Sequence, residues 1–153
     1  MRSLATERLA FSFRFPEKDY VAYRALADLS VDNRLYNAHT TGADTLWAGV
    51  PAVVTASRHL AGRASASFAN AIGSSNMVAS SWKGYEDTVE ALGRSPYRLW
   101  TMRERLIAMR ETAPFFDLNR LALGQQRLAS AMWGVHASGR PPMHVIAARP
   151  LAL

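Results

Sequence analysis

His39, Thr40, Thr41 and Asp44 are the residues whose types and spacing could do chemistry. They follow a short apolar run at 27–31 and a polar turn, and they open a helix expected from about 40 to Gly49, just ahead of Pro51. The first amides of a helix have no intrahelical acceptor and carry the positive end of its dipole. An imidazole and two adjacent hydroxyls add donors at the same end. That combination suits an anion, a diphosphate above all. Gly42 fits the same reading: inside a helix it costs about 1 kcal/mol against alanine, and its bare backbone would permit close approach of a guest. The segment also has a purely structural reading. Thr41-Gly42-Ala43-Asp44 has capping-box spacing, in which the acid only covers a backbone amide.

The elements that must position this turn can be read along the chain. Residues 8–14 alternate apolar and polar side chains as a strand does. Pro16, with Glu17 and Asp19 behind it, starts a helix expected to reach about Ala27. Strands follow at 29–31 and at 52–55, the second directly after Pro51. An alanine-rich helix is expected over 58–72, a short strand over 76–79, and a helix capped by Ser80 or Ser81 and closed by Gly93. Ser95-Pro96 opens another helix, and Asp117 caps a last one ending near Gly139. Strands alternating with helices predict an α/β fold, a Rossmann-like parallel sheet with flanking helices and a helical C-terminus. Ligands in such sheets bind beyond the carboxyl ends of the strands, where the His39 turn falls.

Composition narrows the function classes. The 153 residues are 49% apolar, enough for one domain with a core. The absence of cysteine excludes disulfides and thiolate metal sites. There is no apolar run of membrane-spanning length and no leader-like h-region near Met1, so the expected setting is cytoplasmic, away from a membrane. The net charge of +6 comes almost wholly from scattered arginines, a pattern of a solvated surface or an anionic ligand more than of nucleic acid. His39, His59, His136 and His144 lack metal-ligand spacing, so no metal is expected, and no Gly-x-Ser-x-Gly elbow is present. A competing reading is a non-catalytic interaction module. In it Arg94, Arg98, Arg103, Arg105 and Arg110 on one helix would meet an acidic partner or nucleic acid.

Tyr36-Asn37-Ala38-His39-Thr40-Thr41, with Asp44, Leu46-Trp47, Gly49 and Pro51 behind it, resembles the signature of the protein O-linked N-acetylglucosamine transferases. It is similar to their bacterial and plant relatives, including the O-fucosyltransferase branch. Further resemblance lies in Arg8-Leu9-Ala10-Phe11, in the helix from Leu60 to Ser67, and in Ala131-Met132-Trp133 through His144. The resemblance implies a GT-B glycosyltransferase, two Rossmann-like lobes with a nucleotide sugar between them. Residues 1–153 would be a single partial C-terminal lobe, with βα units over 8–93 and C-terminal helices over 94–139. It further implies a UDP-sugar of the UDP-GlcNAc type as donor, inverting transfer without metal, and no other cofactor. His39, Thr40, Thr41 and Gly42 would hold the diphosphate. Asp44 would reach the ribose, the Phe15 backbone the uracil, and Lys18 and Tyr20 would flank the nucleoside. For Lys18 and Tyr20 a solvated helix face is the equal alternative.

Departures from the family pattern carry their own expectations. Ala56-Ser57-Arg58 stands where the family has Pro-Gly-Glu, Asn33 and Leu35 replace Thr and Pro, and Tyr23 and Ala25 replace polar residues. The family's catalytic histidine belongs to the N-terminal lobe, so no catalytic residue is assigned to this chain. An N-terminal lobe or tetratricopeptide-repeat region would be a separate partner. Two strands of the lobe, about 50 residues at roughly 30 per βα step, would precede Met1. A truncated chain of this kind is expected to be marginal as a monomer, to bind UDP weakly and to transfer nothing alone. Its 8–14 strand would lack neighbours and its 29–31 strand would be an apolar edge.

Overall fold

The computed structural model describes residues 5–12 and 16–146. Its centre is a parallel sheet of three short strands, β1 (Ser30–Val31), β2 (Ala52–Thr55) and β3 (Val78–Ala79), in the order β1-β2-β3. Ser30 pairs with Ala52 and Val31 with Val53; Val54 pairs with Val78 and Thr55 with Ala79. Among the described residues six helices accompany it: α1 (Glu17–Arg24), α2 (Thr40–Trp47), α3 (Ala64–Ala71), α4 (Trp82–Gly93), α5 (Pro96–Met109) and α6 (Leu118–Ala137). No helix among the described residues is long and apolar enough to cross a membrane.

All four residues of β2 are buried, as expected of the middle strand of a sheet covered on both faces. Its alternation divides the core. Ala52 and Val54 pack with Leu46 of α2, Ala66 and Ala69 of α3, Ile72 and Leu106. Val53 faces the other way, onto Tyr85 and Leu92 of α4. The sharp return from α2 into β2 uses Gly49 at φ +81°. There the Val50 amide donates to Thr45 O and the Gly49 amide to Leu46 O, a Schellman closure that satisfies the last carbonyls of the helix.

Several expected elements change. Residues 8–12 are not a strand; Thr6–Arg8 form a single 3-10 turn, and Phe11 is 91% exposed. Alternation alone cannot make a strand, because its amides and carbonyls need a neighbouring ladder. Among the described residues β1 pairs only with β2. The first helix stops at Arg24, short of Ala27. The helix expected over 58–72 is broken into a 3-10 turn, Leu60–Gly62, and α3. The break lies where the chain crowds: a Cβ on Gly62 would stand 2.3 Å from Ser57 Oγ and 3.0 Å from Arg34 O. The caps of the later helices are as expected, with Ser81 Oγ accepting from the Gly84 amide (3.0 Å) and Asp117 from the Arg120 amide (2.9 Å).

Candidate functional site

The turn between β1 and α2 is built by side chains that satisfy its own backbone. Asp32 Oδ1 accepts from the amides of Asn33 (2.7 Å) and Ala38 (2.9 Å). Asn37 is fully buried: its Nδ2 donates to Asn33 O (2.7 Å) and its Oδ1 accepts from the Ser65 amide (3.3 Å). Ser65 Oγ returns a bond to Ala38 O (2.9 Å), and the Asn37 amide donates to Ala61 O (2.7 Å). The turn is therefore fastened to the start of α3 before α2 begins.

His39 is the N-cap residue of α2 and makes no side-chain capping bond. Its ring stacks on Tyr36 at 4.9 Å, and its Nε2 lies 3.3 Å from Ala61 O, a bond that forms in the tautomer protonated there. The carbonyl of His39 takes the amides of Gly42 and Ala43. The amides of Thr40 and Thr41 make no hydrogen bond among the described residues, and both residues are exposed. Two backbone donors and two hydroxyls thus stand open at the positive end of the helix beside a half-buried imidazole.

Two local expectations are corrected. The capping box does not form: the helix starts at Thr40 as expected, its N-cap is His39, two residues before the Thr41 cap that the box requires, and the carboxylate of the half-buried Asp44 makes no hydrogen bond or ion pair among the described residues. The missing side chain of Gly42 does not face a guest either. A Cβ there would sit 3.4 Å from both Ala38 Cβ and Ser65 Oγ, so this glycine lets α2 lie close to α3.

Of the residues expected to flank a nucleoside, Phe15 lies outside the described residues; Lys18 is exposed on α1, whereas Tyr20, two residues on, is half-buried. Tyr20 lines a cavity of about 420 Å³ between α1, β1 and α2, with Tyr23, Arg24, Ser30 and Thr45 also on its wall. Sequence reasoning missed Arg24 and Thr45. The Arg24 guanidinium covers the Tyr20 ring at 4.3 Å, bonds its hydroxyl, and donates to Thr45 Oγ1 (3.0 Å). Thr45 Oγ1 in turn donates to Thr41 O (2.7 Å), so α1 is wired to the first turn of α2. The signal was present in the four-residue spacings Tyr20–Arg24 and Thr41–Thr45.

The arginines expected on one helix are divided, Arg94 being the C-cap of α4 and Arg110 that of α5, and most are engaged by the chain itself. Arg94 pairs with Glu90 (2.7 Å), Arg103 donates to the carbonyls of Ala25 and Ala27, and Arg105 to Gly73 O (3.1 Å). Arg110 lies 5.7 Å from the Trp47 ring centroid.

The sequence model of glycosyl transferase family 41 matches residues 1–124. The chain belongs to that family. This glycosyltransferase-family chain is 32% identical over 139 residues to an Arabidopsis thaliana protein described as a probable UDP-N-acetylglucosamine–peptide N-acetylglucosaminyltransferase, covering 90% of the chain and 14% of the relative. It is also 32% identical over 144 residues to the Caenorhabditis elegans UDP-N-acetylglucosamine–peptide N-acetylglucosaminyltransferase, covering 94% of the chain and 12% of the relative. A solved Thermobaculum terrenum O-GlcNAc transferase mutant superposes with a TM-score of 0.70 at 28% identity, covering 81% of this chain and 25% of that one. The family 41 chain thus spans a small part of the length of these relatives, and its α/β architecture is that of an O-GlcNAc transferase.

Proposed function

We propose that this chain is a nucleotide-sugar-binding lobe of an O-GlcNAc transferase-like glycosyltransferase, and that the start of α2 receives the diphosphate of a UDP-sugar. The observation that carries the reading is the pair of amides at Thr40 and Thr41, without hydrogen-bond partners among the described residues, with two hydroxyls on exposed residues beside His39. Donors fixed in place before the charge arrives stabilise a diphosphate without reorganisation, and the helix dipole has the right sign. The cavity bearing Tyr20 lies against the same helix and has room for part of a nucleoside. Asp44, half-buried and uncommitted to other side chains among the described residues, is available to a ribose hydroxyl. The names of the relatives support UDP-N-acetylglucosamine as the donor. In this reading the chain binds the donor, needs no metal to do so, and transfers sugar only with a complementary lobe.

Calorimetric titration of the full chain with UDP and UDP-GlcNAc tests the proposal. Saturable binding that weakens about tenfold in His39→Ala and in Thr40→Ala, a loss typical of one hydrogen bond to a charged group, supports it. Unchanged affinity in both variants removes the assignment.

A further inference from the structure

A second cleft, of about 250 Å³, opens where β2 and β3 end, lined by residues that include Arg34, Thr55, Ser80, Ser81 and Trp82. It is separate from the Tyr20 cavity, and none of its lining residues belongs to the start of α2. Thr55 follows Val53 by two residues and so lies on the same face of the sheet, toward α4. Thr55 is only 9% exposed, yet its hydroxyl has no hydrogen-bond partner among the described residues. The oxygen is not sealed from solvent, so the hydroxyl opens on the cleft that Thr55 lines.

The other groups around it are donors. The amide of Trp82, on the cleft wall, and that of Lys83, the next residue of the twelve-residue α4, make no hydrogen bond among the described residues. Ser81 Oγ accepts from the Gly84 amide, which leaves its own proton to give. Arg34 makes no ion pair among the described residues, and its guanidinium can grip two oxygens at once. No carboxylate lines the cleft. Asp32, two residues before Arg34, lines a different cavity and uses Oδ1 on the turn backbone. A wall of donors with one cation and no acid selects an anion and excludes a metal cation. Trp82 is half-exposed, and its ring stacks on Tyr85 (4.9 Å, 11°).

We propose that this cleft is an anion site for a phosphoryl group, with Arg34, the Thr55 hydroxyl and the first amides of α4 as its donors. Its ligand class is a small phosphate monoester. The site stands independently of the donor site proposed at α2.

The test is a nitrogen-15 amide-shift titration of the full chain with inorganic phosphate at constant ionic strength, with chloride as the control, followed by phenyl phosphate. Saturable shifts at Thr55, Trp82 and Lys83 are expected with phosphate and not with chloride. Arg34→Gln and Thr55→Val should each weaken binding about tenfold, Thr55→Ser should retain it, and Thr40→Ala should leave it unchanged. Dispersed spectra of the variants show that they fold, and the Thr55→Val/Thr55→Ser pair separates loss of the hydroxyl from loss of shape. Tighter binding of phenyl phosphate than of phosphate would show an ester whose ring uses Trp82; equal binding would show that the phosphoryl group alone is read. Shifts no larger with phosphate than with chloride, or parental affinity in both Arg34→Gln and Thr55→Val, overturn the proposal. Saturation here without UDP binding at α2 leaves this site standing and removes the other; the converse result does the reverse.

Discussion

The amide of Ser65, at the start of α3, donates to the side-chain oxygen of Asn37, 28 residues earlier and fully buried. The contact joins the turn after β1 to the turn after β2. Both lie at the carboxyl end of the sheet, where the open amides of α2 stand. A parallel strand pair leaves its two loops side by side at that end, and Asn37 converts that neighbourhood into a fixed relation. The geometry of His39 and Thr40 thus depends on a residue that has no need to touch a ligand.

Asn37→Ala should therefore destabilise the chain by about 2–3 kcal/mol, since it strands the buried Ser65 amide and removes the part-buried bond to the Asn33 carbonyl. Urea unfolding followed by circular dichroism measures it. Asn37→Asp should recover only part of the loss: it keeps an acceptor for Ser65 and sets a carboxylate against the Asn33 carbonyl. A midpoint unchanged in Asn37→Ala would refute the role of the latch.

Gly49→Ala should cost about 2–4 kcal/mol, for two separable reasons. The residue sits at φ +81°, where a side chain carries a penalty of about 1–2 kcal/mol. The new Cβ would also stand 2.8 Å from Ile107 Cγ1 on α5. Adding Ile107→Ala should relieve the clash and leave the backbone term. A double-mutant cycle by thermal unfolding reads the coupling, and simple additivity would mean that α5 does not press on the turn.

Much of the fold was legible because local signals agreed with the tertiary arrangement. Ser81, Asp117 and Gly49 mark helix ends by mechanisms that act within a few residues, and the apolar run at β2 marks a strand covered on both faces. Over residues 8–12 the expected strand is absent because its pattern says which face would be apolar and nothing about which edge is available. The placement of His39 and Thr40 at the start of α2 was legible from helix-start chemistry. The contacts of Asn37 and Arg24 were not, because each depends on a partner distant in sequence, Ser65 and Thr45. The close packing at Gly42 was hidden for the same reason, since only α3 reveals what its bare face meets.

Arg103 ties α5 to the end of α1 through the carbonyls of Ala25 (2.8 Å) and Ala27. Arg103→Met keeps much of the aliphatic stem and removes both bonds. Because the contact is partly solvent-exposed, the global cost should be small, about 1 kcal/mol. The clearer effect should be local: faster amide exchange in α1 than in α2 or α3, since α1 loses one of its tethers. Equal protection of α1 in parent and variant would show that its packing on α2 suffices.

Tyr85 gives the fold a pH dependence on the alkaline side. Its hydroxyl donates to Asp32 O (2.8 Å), it is 8% exposed, and burial, with a smaller contribution from the Asp32 carboxylate, raises its pKa above the ordinary phenol value. The folded chain therefore keeps this proton to higher pH than the unfolded chain does. Between the two pKa values the unfolded state binds fewer protons, so stability falls as pH rises. The contribution is fully present below the unfolded value of about 10 and is lost as pH climbs from there through the folded value. Tyr85→Phe should cost about 1 kcal/mol at pH 8, where the hydrogen bond is intact, and should show a shallower decline above pH 10 than the parent. Urea midpoints for both chains at pH 8 and at higher pH measure the difference. Parallel declines would mean that the phenol ionises as freely in the fold as in the unfolded chain, and that the hydroxyl contact between α4 and the turn after β1 does not constrain it.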